Sequence, residues 1–258
     1  MILRSIQGAK GLFLPFETCT NFSNSCLSYC YQRAELYPTK EEKIKILSSL
    51  LNETSKATAN NLFNELNEDI LHWFVSGDCW SSAVTFFWDV VYRLAKMGCR
   101  QLGFTRNRKL WEAVPDIFIL SLDSEDQLKQ FDDRLDFIDQ ERIETHNVRV
   151  ATPNNPIFGV DTGVKIYKLD IIMKNVTIKC DGGCGSDYYS EVESEFGKSN
   201  FLSKNLKNCS VCADKSKGCF KRKLFKINKP YYRDSIVTLD NLPKAIQPYM
   251  IGNDLDLF

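Results

Sequence analysis

Short apolar runs alternate with longer amphipathic stretches over the first two-thirds of the chain, the pattern of βα units around a parallel sheet. Gly11 to Phe16 reads as a first strand. Lys40 to Leu51 then carries Ile44, Ile46, Leu47, Leu50 and Leu51 at mostly helical spacing, and a second helix is expected over Ala59 to Leu66. Ile70 to Val75 is a continuous apolar run that suits a buried parallel strand. Ser81 or Ser82 is placed to cap a helix whose Val84, Phe87, Val91, Leu94 and Ala95 share one face, with Gly98 where a C-terminal cap glycine belongs.

Two further units follow. Gln101 to Thr105 and Ile117 to Leu122 are predicted as third and fourth strands. Ser124 to Gln127 has the form of a capping box opening a helix to about Ile138, and Asn147 to Thr152 is a fifth strand. The loop from Pro153 to Gly163, with two prolines and two glycines, marks the expected boundary between a core over 1–155 and a C-terminal region over 156–258. No internal repeat or low-complexity tract interrupts this order. The fold class expected is α/β: a partial (β/α) barrel with a parallel sheet, plus a C-terminal cysteine-rich extension.

Composition narrows the function. Lys+Arg and Asp+Glu both number 33, which argues against a generic nucleic-acid clamp while leaving room for a local basic patch. The opening MILRSIQGAKGLFLPF does not read as a signal peptide, because Pro15 interrupts a short apolar run before any small-residue cleavage site. No stretch reaches the 18 or more apolar residues of a membrane span. The expectation is a cytoplasmic protein with no membrane contact, in which ten cysteines are metal ligands or catalytic groups more readily than disulfides.

Cys19, Cys26 and Cys30 follow directly on the first strand, with gaps of six and three residues. Thiolates are soft ligands suited to iron–sulfur clusters or zinc. A closed structural zinc site wants four ligands, whereas three cysteines on a four-iron cluster leave one iron open. A zinc knot completed by a ligand from elsewhere is the alternative. The second strand ends Ser76-Gly77-Asp78, where glycine lets the backbone approach closely and the carboxylate can accept from an ammonium. An ordinary strand-to-helix turn would use the same residues.

The triplet, with Tyr29 before its last cysteine, and the Gly-Asp strand end one βα unit later resemble the radical SAM superfamily, with wider cysteine spacing than that family's usual three and two. A Cys-Tyr ending and a late cysteine group are loosely similar to the phage gene product 88-like proteins. The resemblance implies that Cys19, Cys26 and Cys30 hold a [4Fe-4S] cluster whose open iron chelates S-adenosylmethionine. Electron transfer into that cofactor would release a 5′-deoxyadenosyl radical that abstracts hydrogen from a substrate of unidentified class. It further implies that Ser76, Gly77 and Asp78 meet the cofactor's amino group, that Ser121 and Asp123 meet a ribose hydroxyl, that an arginine among Arg106 and Arg108 reaches its carboxylate, and that an electron donor such as flavodoxin or ferredoxin is a partner.

Late in the chain, Cys180 and Cys184 flank a glycine-rich turn, and Cys209, Cys212 and Cys219 follow after 24 residues. Two close thiol pairs separated by a loop are a metal-site signature, for a second iron–sulfur cluster or for zinc, with one of the five thiols to spare. Cys79 and Cys99 read as small buried hydrophobes and His72 as a core histidine. Trp73, Phe74, Phe86, Phe87 and Trp88 read as core aromatics. Lys221-Arg222-Lys223 between Phe220 and Phe225 suits a nucleic acid, a protein partner or a solvated strand edge equally. Two rivals to the radical enzyme therefore stand: a zinc-stabilised interaction or nucleic-acid-binding module, and an iron–sulfur redox protein that binds no S-adenosylmethionine.

Overall fold

The computed structural model describes residues 1–6, 9–21, 38–67, 70–114, 117–123, 127, 229–230 and 234–250, together with the backbone of residue 251 and of the strands between 147 and 199. The helix expected after Ser124, Cys26, Cys30, the five late cysteines and the basic cluster around Lys221 lie outside the described residues, except that Gln127 is helical and its side-chain oxygen accepts from the Asp123 N–H at 2.8 Å.

The chain forms an α/β fold. Strands β1 (Ile2–Ile6), β2 (Ala9–Phe13), β3 (Leu71–Ser76), β4 (Gln101–Thr105) and β5 (Phe118–Leu122) form a mixed, mostly parallel sheet. β1 pairs antiparallel with β2, and β2, β3, β4 and β5 then run parallel in chain order. Strand β6 (Asn147–Pro153) continues the parallel series beside β5. The remaining strands, β7 (Thr162–Lys168), β8 (Val176–Lys179), β9 (Val192–Ser194) and β10 (Gly197–Ser199), extend it as an antiparallel meander, so the sheet continues across the loop after Pro153. Sequential parallel order is the signature of repeated βα units wound in one sense.

Helices α1 (Lys40–Asn52), α2 (Ser55–Leu66), α3 (Val84–Lys96), α4 (Arg108–Ala113) and α5 (Gln247–Ile251) and the 3₁₀ turns Phe16–Thr18, Ser81–Ala83 and Leu239–Asn241 complete the described elements. α1 starts at a reciprocal cap: Thr39 Oγ1 accepts from Glu42 N–H while the Glu42 carboxylate accepts from Thr39 N–H. Thr54 caps α2 through Ala57 N–H, and Gly98 at φ +83° ends the turn after α3 in the left-handed region. The serines expected to cap α3 do not. Ser81–Ala83 form a 3₁₀ turn, Ala83 stands at the cap without a side-chain bond, and the Ser82 hydroxyl donates instead to Asn241 O at 2.6 Å. The first strand also ends earlier than expected, because Pro15 has no N–H to give a sheet and Phe16–Thr18 close into a 3₁₀ turn.

β3, β4 and β5 are buried along almost their whole length, as parallel strands covered on both faces must be. An aromatic block fills the space against α3. Phe74 stacks on Phe118 with ring centres 5.5 Å apart, and Phe87 meets Phe74 edge-on at 5.2 Å and Trp73 at 6.1 Å. Gly103, flanked in the sheet by Trp73 and Phe118, leaves the gap those two rings need, since a Cβ there would stand 2.8 Å from both side chains. Gln101 accepts from the buried Trp73 Nε1 at 2.9 Å and donates to Val91 O.

Trp73 and Phe74 are neighbours in a strand yet both reach Phe87 and Phe118, which alternation forbids in a regular strand. Phe74 achieves this by adopting φ +51°, and β3 bulges there. Gly11 pairs with His72 but Phe13 pairs with Ser76, so three residues of β3 face one of β2.

The last described segment folds back on this core. Val237, Leu242, Ile246 and Met250 are buried within the same hydrophobic cluster as Leu12, Leu47 and Phe87. Asp89, 1 % exposed on α3, fastens its start: Oδ2 accepts from Ser55 Oγ at 2.6 Å, from Arg93 Nε at 2.9 Å and from the Asp234 N–H at 2.9 Å. Ser55 N–H donates in turn to Ser235 O, and Trp80 Nε1 donates to Asn241 O.

Asp89→Ala leaves those donors facing a void, and we expect a loss on the order of 2–4 kcal/mol in urea unfolding, with faster proteolysis within 234–250 before global unfolding. A lone hydroxymethyl at Gly103 should also be felt: Gly103→Ser is expected to lower stability by roughly 1–3 kcal/mol through overpacking, read as a lower thermal midpoint.

Candidate functional site

The carboxyl ends of β2 to β5 bring four loops together, and in βα folds this rim is where chemistry collects. The loop after β2 turns through Phe16–Thr18, with Thr18 N–H and Cys19 N–H bonded back to Pro15 O and Phe16 O at 3.0 and 2.8 Å. This turn delivers Cys19, half-buried, to the rim.

The end of β3 lies against it because of the bulge. Leu14 N–H donates to Ser76 O and the Ser76 hydroxyl donates back to Leu14 O, both at 2.9 Å. Gly77, at φ +70°, has no room for a side chain: a Cβ would stand 2.6 Å from Leu14 Cβ and 2.8 Å from Pro15 O, and would also strike Thr18 Oγ1. Thr18, fully buried, donates its hydroxyl to Pro15 O at 2.6 Å and accepts from Asp78 N–H at 3.1 Å.

Asp78 is 6 % exposed, and its carboxylate turns inward. Oδ1 accepts from Cys79 N–H and Thr105 Oγ1, and Oδ2 from Arg106 N–H, each at 2.7 Å. Burial pushes its pKa up from 3.8 to about 6, against the pull of these three donors and of the Arg106 charge. The adjoining Cys79 thiol is fully buried and is pushed well above its ordinary value by burial and by the Asp78 charge, which keeps it protonated and inert. Its carbonyl accepts from Asn107 Nδ2 at 3.1 Å and Asn21 Nδ2 at 3.5 Å, tying the β4 loop and the cysteine loop to the same point.

At the next strand end, the Arg106 guanidinium forms an ion pair with Asp123. These two residues, expected to meet a carboxylate and a ribose hydroxyl separately, here face one another. Ser121 is buried within β5. Arg108 starts α4 and pairs with Glu112 along the helix at 2.6 Å. His72 and Cys79 are buried as expected, and Cys99 is half-buried.

Sequence reasoning passed over Glu17, Thr18, Thr105 and Asn107. Glu17 stands two residues before Cys19 and receives Lys43 Nζ from α1 at 2.6 Å and Tyr249 OH from α5 at 3.2 Å. Burial pushes the Glu17 carboxyl up, but the Lys43 hydrogen bond and charge carry it below the usual value. Its Oε2 is buried with no hydrogen-bond partner among the described residues. Glu17 and Thr18 stand on the turn just before Cys19, whereas Thr105 and Asn107 meet Asp78 and Cys79 across 27 and 28 residues of chain.

Among the described residues no group of three His, Cys, Asp or Glu side chains gathers to hold a metal, and no helix is long and apolar enough to cross a membrane. The rim does fit a thiolate-held cluster in one respect: Cys19 is half-buried on a turn fixed by buried hydrogen bonds, the setting a rigid soft ligand requires. No family model, curated protein or solved structure matches the chain.

Asp78 gives the rim a pH dependence with a definite sign. Its folded pKa, about 6, lies above 3.8, so its contribution is fully present below pH 3.8 and is lost as pH rises through 6. In urea unfolding, the stability of the wild type relative to Asp78→Asn should fall by on the order of 2–3 kcal/mol between pH 4 and pH 7. Gly77→Ala, with neither the space nor the backbone angle for a methyl group, is expected to cost at least about 2 kcal/mol in the same assay.

Proposed function

We propose that the chain is a radical SAM-type enzyme built on a partial (β/α) barrel, with Cys19, Cys26 and Cys30 holding a [4Fe-4S] cluster at the carboxyl rim and S-adenosylmethionine bound across the ends of β3 to β5. The observation that carries this reading is the junction of Thr18 with Asp78: the first residues of the cysteine loop are bonded to the Gly-Asp end of the adjacent parallel strand. The bound group would supply one-electron cleavage of S-adenosylmethionine and hydrogen abstraction from a substrate.

The chain's own part is positioning. Gly77 lets the β2 and β3 ends approach without a side chain between them, and Ser76 locks that approach through two bonds to Leu14. Arg106 and Asp123 present a paired positive and negative charge at the β4 and β5 ends, where a zwitterionic amino-acid moiety would find complementary partners. Cys180, Cys184, Cys209, Cys212 and Cys219 would hold a second iron–sulfur cluster or a zinc ion, and a small electron-transfer protein of the flavodoxin or ferredoxin type would be the reductant.

A second reading has one observation in its favour. The Asp78 carboxylate has three protein donors at 2.7 Å, which suits an iron–sulfur redox protein that leaves S-adenosylmethionine unbound.

Anaerobic reconstitution followed by EPR of the reduced protein separates these. A four-iron signal that shifts on adding S-adenosylmethionine, and disappears in the Cys19/Cys26/Cys30→Ala variant, is expected. The same signal indifferent to the cofactor would favour the redox protein. Stoichiometric zinc without iron would sink both and leave a zinc-stabilised binding module.

A further inference from the structure

The turn that carries Cys19 is held by a chain of buried hydrogen bonds crossing three strand ends. Thr18 Oγ1 donates to Pro15 O at 2.6 Å, closing its own turn, and accepts from Asp78 N–H at 3.1 Å, joining that turn to the end of β3. Asp78 passes the connection on to β4 through Thr105 Oγ1 and Arg106 N–H. Asn107 N–H donates to Thr105 Oγ1 at 3.0 Å, so the threonine hydroxyl is fixed from both sides.

We propose that Thr18 and Asp78 are positioning residues that clamp the Cys19 turn to the ends of β3 and β4, and that Asp78 acts through this clamp and not by touching a bound ligand. What Cys19 then holds rests on the reading given under Proposed function; the clamp itself belongs to the chain with or without a cluster.

The chemistry of each position is specific. Thr18 is fully buried, and only a hydroxyl can donate to one backbone group and accept from another in so small a space. Valine keeps the shape but strands the Asp78 amide and leaves the Pro15 carbonyl with the Thr18 N–H alone. Serine keeps both bonds. At Asp78 both carboxylate oxygens are used, by three donors; asparagine has a single acceptor oxygen, so at least one donor loses its partner. Three of the four acceptor sites of the carboxylate are taken, and the one left, on Oδ2, belongs to a side chain that is 6 % exposed, which leaves a ligand ammonium little access.

The test is hydrogen exchange by mass spectrometry on the full chain, comparing wild type with Thr18→Val, Thr18→Ser and Asp78→Asn, alongside thermal unfolding. The amides of Thr18, Cys19 and Asp78 should exchange at least tenfold faster in Thr18→Val and Asp78→Asn, while those of β4 and α3 keep wild-type rates. Thr18→Ser should stay within threefold of wild type. Should Thr18→Val fail to fold, Thr105→Val removes one donor to Asp78 without touching the turn, and the same acceleration at Cys19 is expected. After reconstitution, the four-iron EPR signal should lose at least half its intensity in Thr18→Val and recover in Thr18→Ser. Unchanged exchange at the Cys19 turn in Thr18→Val and Asp78→Asn overturns the clamp, as does Thr18→Ser exchanging as fast as Thr18→Val. A wild type that takes up no iron overturns the cluster reading instead, and the exchange rates still decide the clamp.

Discussion

Trp73 and Phe74 both have to enter the layer between the sheet and α3, and a strand cannot send consecutive side chains to one face without breaking its pairing. The left-handed backbone at Phe74 is how this chain resolves that conflict. Such a conformation costs on the order of 1–3 kcal/mol at a non-glycine residue, and it persists because two large rings are buried in return. The register of the rim follows from it. With the bulge in place Ser76 falls opposite Phe13, the strand end reaches Leu14 and Pro15, and Gly77 and Asp78 arrive against Thr18. Without it the Gly-Asp end would miss the cysteine turn by two residues.

Two buried carboxylates organise the rest, in different ways. Asp89 gathers all its described donors on one oxygen, among them the Arg93 guanidinium, and so fastens α2, α3 and the returning C-terminal segment at a point away from the rim. Asp78 divides its donors between both oxygens and draws them from two strand ends, while the nearest guanidinium, on Arg106, goes to Asp123. The first is a fastening between helices. The second spans the mouth of the sheet, and its raised pKa is the cost of desolvation that its three donors and the Arg106 charge only partly offset.

The sequence carried the strand order and most helix spans, because long apolar runs and helical periodicity survive without tertiary information. β4 was legible to the residue, and β3 and β5 to within one. β1 was missed: Ile2–Ile6 is too short and mixed to stand out, and only its pairing with β2 makes it a strand. The 234–250 segment was missed for a related reason: Leu242, Ile246 and Met250 recur every four residues, but Pro243 and Pro248 interrupt the stretch, and with Val237 they become core only against helices nearly two hundred residues earlier. At the rim, residue type and place were readable for Cys19, Ser76, Gly77 and Asp78. The direction of the Asp78 carboxylate was not, because it is set by Thr105 and Arg106, and neither they nor the Arg106–Asp123 pair leave a local signature.

The return of residues 234–250 to the core has a consequence for how the molecule is made. A ribosome adds about 5–20 residues per second, so on the order of ten seconds separate the emergence of β5 from that of Val237. Through that interval the nascent chain has its aromatic centre assembled but lacks the apolar cover that Val237, Leu242, Ile246 and Met250 supply, and Trp80 waits for the carbonyl of Asn241. The core is therefore closed last, among the described residues, by its most distant piece, and until then the apolar surface that piece covers stays open to solvent.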